Sequence, residues 1–450
     1  MENAELKTTR LSSTQTARPV VSSNATKLNS GYVKRYHSVR QYSEQLCRPL
    51  SIEDYGLQAM ASTSPAKWHL AHTTWFFETF ILKPYSPCYQ VFHPQFEYLF
   101  NSYYNGVGKQ YPRHQRGLLS RPTVEDVYLY RAHVDEAISG LLDRQPLCPS
   151  DPLAELIELG CHHEQQHQEL FFTDLKYCWF QNPMYPAYRD KPPTNDSKPQ
   201  PIKWMSFDSS LCQIGHERES DFCFDNELPR HTQYVEGFRI ADRLVSNGEF
   251  LEFMADKGYD RSELWLADGW AARATATQLA DQVLAPLYWL QKDGQWWEYT
   301  LHGLIELDPN RPACHLSAYE ADAFARWSNA RLPTEFEWEV AANAHPNNPD
   351  SESISSASPL HPQYVAHPSL DGDVTGSLWQ WTSSAYSPYP GFKTADGAVG
   401  EYNGKFMANQ LVLRGGSVAT SPGHYRHSYR NFFYPQDQWQ FTGIRLAQNL

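Results

Sequence analysis

The 450-residue chain has no CxxC pair, no long apolar run and no excess of positive charge. Its eight cysteines (Cys47, Cys88, Cys148, Cys161, Cys178, Cys212, Cys223 and Cys314) are scattered. That pattern fits reduced thiols and disfavours a disulfide framework or a structural zinc site. No stretch approaches the roughly 18 apolar residues expected of a membrane span. The first 30 residues are polar, rich in Ser and Thr, and contain no hydrophobic segment of signal-peptide length. A formal net charge of −13 argues against non-specific nucleic-acid binding, which needs a basic surface. No internal repeat of roughly 20–50 residues is evident. The expectation is a cytoplasmic globular protein with small-molecule partners, without nucleic acid or membrane.

What the chain does have is aromatic side chains, 14% of its residues, and two textures. Residues 1–30 are expected to be a disordered tail. Residues 31–182 read as helices joined by ordered loops, with segments at about Tyr36–Cys47, at SPAKWHLAHTTWFFETFIL, from Thr123, and around His163. Ser64 is the expected N-cap of the second, with Pro65 at its first helical position. Thr123 and Asp126 resemble a capping box for the third. Residues 183–203, rich in Pro and polar side chains, read as a linker. Residues 204–450 carry short apolar runs, Gly turns and many Trp and Tyr. Helices are expected there only at about Ser246–Lys257, Ser317–Ala330 and Thr334–Ala342, which gives an α+β domain.

The most informative stretch is His163-Glu164-Gln165-Gln166-His167, inside a long apolar-periodic segment. Leu153, Leu156, Gly160, His163, His167, Leu170 and Asp174 share one helix face by 3-4-3-4-3-4 spacing. Both imidazoles therefore point at the stripe that packs on other helices and can serve one metal. Gly160, one turn earlier, leaves room beside a metal or substrate. Read as HExxH, the stretch would be a zinc-hydrolase helix with Glu164 as general base. An extended metalloprotease helix needs Gly at 170 and His at 173, where this chain has Leu170 and Thr173. In the second helix Trp68, His72, Trp75 and Thr79 share a stripe, so His72 faces the core between two indoles. His69 lies about 60° away round the helix and is the weaker ligand candidate. Three imidazoles suit Fe(II), Zn, Ni or Cu alike.

The combination of WHLAHTTWFFE with HHEQQHQE resembles the DinB-like domain of the ergothioneine-type sulfoxide synthases. RLPTEFEWEVAA, GSLWQWTSSAYSPYPG, EYNGKFMANQLVLRGGS and YRNFFYPQDQWQFTGIRLA resemble the formylglycine-generating-enzyme-like domain fused to it in that family. The motifs follow the family's order from residue 35 to 450. The resemblance implies a multidomain α and α+β fold. A DinB-like four-helix bundle would precede a formylglycine-generating-enzyme-like, C-type-lectin-like α+β domain. It implies a non-haem Fe(II) enzyme that uses O2 to join a thiol, cysteine or gamma-glutamylcysteine, to C2 of hercynine's imidazole and to oxidise the sulfur.

By motif, the resemblance makes His72, His163 and His167 the iron ligands. It gives Gln166 to the acceptor's imidazole, Asn431 and Phe432 to its betaine end, and Arg113 and Arg116 to the thiol donor's carboxylate. Tyr103 and Tyr104 match a tyrosine pair beside the iron in the cysteine-using branch. The chemistry of each is apt: Arg binds carboxylates bidentately, and Phe432 with Phe433 would hold a quaternary ammonium by cation–π attraction. Two departures carry meaning. RGGSVATSPGHYRHSYR lacks the cysteine pair that binds copper in true formylglycine-generating enzymes, which argues against sulfatase maturation. Phe433 stands where the gamma-glutamylcysteine branch tends to carry Asp, which favours free cysteine as donor. Related synthases using histidine (ovothiol type) or a selenosugar (selenoneine type) share the triad. Outside that family, the same residues would suit a zinc hydrolase or a lectin-like binding module.

Overall fold

In the computed structural model the described residues are 23–144, 147–190, 200–217, 221–279, 284–344, 359–363 and 378–450. Residues 1–22 of the expected tail and 191–199 of the expected linker lie outside them. Four long helices make up the first part of the chain: α1 (Ser23–Cys47), α2 (Ala66–Phe77), α3 (Val124–Arg144) and α4 (Pro152–Phe180). α1 packs along α4, and α2 packs against both α3 and α4. α1 begins well before the expected Tyr36, so residues 23–30 are helical and not part of a tail. Once the segment ending at Cys47 is nucleated, each added residue gains a hydrogen bond without a new nucleation cost.

Every residue of α2 is buried, and the chain continues through a π-helical turn at Glu78–Leu82. Its N-cap is Pro65, one residue later than expected. Ser64 has other partners: its N–H donates to Asp174 Oδ2 (2.8 Å) and its hydroxyl accepts from Arg116 Nη1 (2.9 Å). The expected Thr123–Asp126 capping box of α3 forms, with Thr123 N–H donating to Asp126 (2.9 Å) and Asp126 N–H to Thr123 Oγ1 (3.1 Å). At Gly160 the expected open space is filled. A Cβ there would lie 2.5 Å from the Phe77 ring, so the glycine lets α2 and α4 approach closely.

The second part is α+β. Strands β1 (Trp204–Phe207), β4 (Phe238–Ala241) and β12 (Ala447–Asn449) form one antiparallel sheet in the order β1-β4-β12. β2 (Ser210–Ile214) pairs with β3 (His231–Val235), and β5 (Trp289–Lys292), β6 (Gln295–Thr300) and β7 (Gly303–Glu306) form a meander. The central sheet runs β10-β9-β8-β11, from β8 (Trp379–Ala385), β9 (Leu411–Gly415), β10 (Asn431–Phe433) and β11 (Thr442–Gly443). Three helices fall where expected: α5 (Asn247–Ala255), α7 (Ala318–Trp327) and α8 (Glu335–Ala344). α6 (Ala267–Leu279) is an addition; its Ala-rich sequence has helix propensity but few large apolar residues to mark a stripe. One apolar core runs through both parts. No helix among the described residues is long and apolar enough to cross a membrane.

α4 is held on two sides by charge. Toward the bundle, Glu164 is fully buried and accepts from Arg40 Nη1 (2.7 Å), Arg131 Nη2 (3.0 Å) and Ser43 Oγ (2.6 Å). Toward the sheet domain, the Glu169 carboxylate accepts from Trp379 Nε1 (2.7 Å), Thr420 Oγ1 (2.9 Å) and Ser417 Oγ. Gln165 Nε2 donates to Pro422 O (2.7 Å) and Ser421 Oγ to Gln168 Oε1 (2.6 Å), so the loop after β9 lies along the helix. Burial opposes the Glu164 charge, but the Arg40 and Arg131 charges win and hold its carboxyl at about 2. Replacing Glu164 by Gln removes the buried charge that both guanidinium groups share and leaves Arg40 with Asp135 and Arg131 with Glu44. Glu164→Gln is expected to cost roughly 1.5–3 kcal/mol in chemical unfolding, the range for losing hydrogen bonds to a charged group. Because its folded pKa is depressed, the wild-type contribution is complete above about 4.5 and is lost as pH falls toward about 2. The variant's acid-unfolding curve should lack that component.

Candidate metal centre and its surroundings

His72 from α2 and His163 and His167 from α4 each bring a ring nitrogen within 4.8 Å of the other two. His72 is sandwiched as its spacing predicts, stacked on Trp68 (4.5 Å between centroids, 11°) and Trp75 (5.5 Å, 14°). Its Nδ1 donates to Phe100 O (2.6 Å), which leaves the Nε2 lone pair free. That Nε2 lies 3.2 Å from His163 Nε2. Phe76 and Tyr402 flank the His163 ring at 4.7 and 5.7 Å. His72 and His163 are buried, and His167 keeps some exposure.

Burial is the first cause that keeps these rings neutral. It lowers His163 to about 3, and it lowers His72 and His167 well below the ordinary imidazole value, with the neighbouring histidines adding to the effect. The His72 Nε2 lone pair faces His163 Nε2 at 3.2 Å, a contact that a proton on His163 Nε2 satisfies in the metal-free protein and a cation between the rings satisfies once that proton is lost. The donor set therefore fits a divalent transition metal bound by three imidazoles with positions left open.

Glu164 does not belong to this centre. Its oxygens are taken by Arg40, Arg131 and Ser43, so the general base required by the HExxH reading has no free lone pair directed at a metal-bound water. One residue round the helix from His163, its carboxylate faces α1 and α3.

The loop after Phe100 carries Tyr103 and Tyr104. Asn101 shapes it by accepting from Tyr104 N (3.1 Å) and donating to Tyr104 O (3.0 Å). Glu401, from the sheet domain, accepts from Asn105 N (3.0 Å) and Gly106 N (2.6 Å) and fixes the loop across the seam. The two phenol rings stack at 4.6 Å. Tyr104 is fully buried against Trp75 and Phe80, whereas Tyr103 is partly exposed and sits beside Tyr402 and Phe406. Burial pushes the Tyr103 phenol up to about 12 and raises Tyr104 well above the ordinary phenol value, so both hold their protons at neutral pH.

Arg113 and Arg116 lie on one 3₁₀ turn, Arg113–Leu118, but differ in environment. Arg113 is exposed and donates to Ser62 O. Arg116 is buried, with its guanidinium 3.4 Å from the Trp68 ring centroid and donating to Ser64 Oγ (2.9 Å) and Ser102 Oγ (3.1 Å). No carboxylate among the described residues forms an ion pair with it, and its Nε has no partner. Burial first, then the charge of Arg113, lowers its pKa well below the ordinary arginine value. A buried, unpaired guanidinium is a receptor for an anion.

Gln166 is already engaged. Its amide donates to Tyr429 Oη (2.6 Å) and accepts from Tyr402 Oη, which leaves one N–H for a ligand. On β10, Asn431, Phe432 and Phe433 are all partly exposed. Phe432 stacks on Tyr386 (4.1 Å, 11°), while Phe433 neighbours Trp439. Successive side chains on a strand face opposite ways, so Phe432 and Phe433 do not form one aromatic cage. Phe432 finds its aromatic company in Tyr386 and Phe406.

Several neighbours are not marked in the sequence. Tyr402 links Gln166 to the Tyr103 and His163 rings and stacks on Phe224 (5.4 Å, 15°). Asp225, held by Asn403 Nδ2 (2.7 Å), raises the proton affinity of Tyr402 and Tyr103 by its charge. Tyr402 lies in the EYNGKF segment, but nothing in its spacing sets it apart from the chain's other tyrosines. His69, the weaker ligand candidate, contacts His167 instead (Nδ1 to Nδ1, 2.8 Å).

The family model of the sulfatase-modifying factor enzyme 1-like domain matches residues 206–359 and 371–450. The chain is 30% identical over 424 residues to a hercynine oxygenase of Mycolicibacterium smegmatis, covering 85% of this chain and 91% of that protein. It is 27% identical over 236 residues to ergothioneine biosynthesis protein 1 of Schizosaccharomyces pombe, covering 51% of this chain and 28% of that protein. A formylglycine-generating enzyme of Streptomyces coelicolor is 26% identical over 266 residues, covering 50% of this chain and 82% of the enzyme. Similarity along nearly the whole length of a hercynine oxygenase, together with the sulfatase-modifying-factor-like second half, means that the chain belongs to the fused sulfoxide synthases of the ergothioneine type.

Proposed function

We propose that the protein is an Fe(II)-dependent sulfoxide synthase that joins cysteine to C2 of hercynine's imidazole, giving hercynylcysteine sulfoxide. The observation that carries this reading is the position of the three neutral imidazole nitrogens. They converge beside the seam, within reach of a buried unpaired arginine and a partly exposed tyrosine. We read residues 31–182 as a DinB-like bundle that supplies the metal ligands, and residues 204–450 as the domain that supplies much of the substrate pocket.

Bound at His72, His163 and His167, a ferrous ion would supply dioxygen activation and gather thiolate and imidazole in one place. The balance is complete without a reductant. Forming the C–S bond releases two electrons, oxidising the sulfur releases two more, and O2 takes all four, with one oxygen on sulfur and one in water.

The chain's own residues then have separable tasks. Arg116, aided by Arg113 at the rim, binds the thiol donor's carboxylate. Gln166, braced by Tyr402 and Tyr429, presents its remaining amide N–H to the acceptor's imidazole. Asn431, with Phe432 and its stacked partners, lines the betaine end, where a trimethylammonium is served by aromatic faces. Tyr103 and Tyr104 hold phenolic protons in a water-poor site and deliver one where negative charge builds up. Phe433, beside Trp439, offers no carboxylate to the amino group of a longer donor, which favours free cysteine over gamma-glutamylcysteine.

A mass-spectrometric assay with Fe(II), O2 and each pairing of donor and acceptor should give a singly oxygenated adduct of hercynine with cysteine. His72→Ala and His163→Ala should abolish iron binding and product in a folded protein; substantial iron-dependent turnover by either would defeat the triad. Arg116→Leu should raise the KM for cysteine by roughly tenfold to a hundredfold, as expected for loss of about 1.5–3 kcal/mol of charge-assisted hydrogen bonding. An unchanged KM would place the carboxylate elsewhere. Tyr103→Phe and Tyr104→Phe should divert turnover towards cysteine sulfinate, and a wild-type product ratio in both would remove the proton-delivery role.

A further inference from the structure

We infer that His69 and Asp174 form a hydrogen-bond relay that fixes the tautomer of His167, so that His167 presents a bare Nε2 to the metal. His69 is a positioning residue in this scheme, and the inference rests on the metal-centre reading above.

The geometry runs as an unbroken chain. Asp174 is buried on α4, and its Oδ2 accepts from His69 Nε2 (3.1 Å) and from Ser64 N (2.8 Å). Its Oδ1 accepts from Trp439 Nε1 (3.3 Å), which comes from the sheet domain. With three donors converging on it, this carboxylate is held as an acceptor. A neutral His69 that donates from Nε2 has its only remaining lone pair on Nδ1. That atom lies 2.8 Å from His167 Nδ1, so the proton in this contact must belong to His167. With its proton on Nδ1, His167 has an unprotonated Nε2.

The other two imidazoles are set differently. His72 donates from Nδ1 to a backbone carbonyl, while His163 Nδ1 has no hydrogen-bond partner among the described residues. His167 is the partly exposed member of the three. Without the relay, it would be the ligand with most freedom to turn or to carry its proton on the wrong nitrogen. Outer partners of this kind orient a ligand and raise its basicity, and their loss typically costs about 10–100-fold in metal affinity. Because Trp439 also holds Asp174, docking of the sheet domain reaches His167 through three hydrogen bonds, the Asp174 carboxylate and the His69 ring.

Two variants separate hydrogen bonding from packing. His69→Leu keeps the volume and removes the acceptor. His69→Gln restores an acceptor oxygen for His167 and a donor amide for Asp174. Nitrogen-15 NMR of the metal-free, histidine-labelled protein should find His167 protonated on Nδ1 in wild type and in His69→Gln, with the Nε2-protonated form appearing in His69→Leu. Titration with Co(II), read by its visible absorption, should show affinity falling about 10–100-fold in His69→Leu and recovering to within about threefold of wild type in His69→Gln. Thermal unfolding of each variant provides the folding control. Equal Co(II) affinity in wild type and His69→Leu, or equal loss in both variants, would overturn the relay. A wild-type protein with the Nδ1–H tautomer that binds no Co(II) would instead overturn the metal-centre reading, and with it the relay's purpose.

Discussion

The rotation of α4 about its own axis is the constraint on which the rest depends, and the buried carboxylate of Glu164 sets it. A charge without solvent is tolerated only where partners surround it, and Arg40, Arg131 and Ser43 supply three from α1 and α3. With Glu164 turned into the bundle, His163 and His167 are carried round towards α2. Glu169 and Gln166 then meet the sheet domain, where Trp379, Thr420, Tyr402 and Tyr429 receive them. A rotation of even a few tens of degrees would take the Glu164 carboxylate away from Arg40, Arg131 and Ser43 and leave it buried without them. The ion cluster therefore secures orientation, and His163 and His167 inherit it.

The site lies where two differently built parts meet, and each part lacks something the other has. The helices supply imidazoles on rigid backbones, with neutral rings because the surroundings are dry. The sheet domain contributes loops rich in aromatic side chains, which suit a flat imidazole and a quaternary ammonium. Polar side chains bridge the seam at every level, from Glu401 on the tyrosine loop to Trp439 on Asp174. The tyrosine loop, fastened to both parts, is placed by the docking as much as by its own turn.

Much of this is legible in the sequence because periodic spacing is a direct record of helix geometry. The four-helix layout, the inward faces of His72, His163 and His167, and the indole sandwich around His72 follow from residues three and four apart. The same spacing misleads at Gly160, because a gap in a stripe does not say which neighbour fills it; here Phe77 does. Nor can it say that Phe432 and Phe433 part company, since YRNFF does not declare its conformation until β10 pairs with β9. HExxH supports two readings because the letters around Glu164 do not name Arg40 or Arg131, which lie 124 and 33 positions away.

The sequence by itself determined the helical and α+β parts, the ligand-bearing faces and the family to which the chain belongs. Those properties are local or survive as ordered motifs. Only the tertiary structure decided which way Glu164 points, which arginine is buried and unpaired, and which aromatic partners surround Gln166, Phe432 and Phe433. It also turned His69 from a weak ligand candidate into the neighbour of His167. Each of these depends on partners brought together across dozens to hundreds of residues, and on whether water is excluded once they meet. Neither distance in space nor dryness is written in the order of residues along a chain.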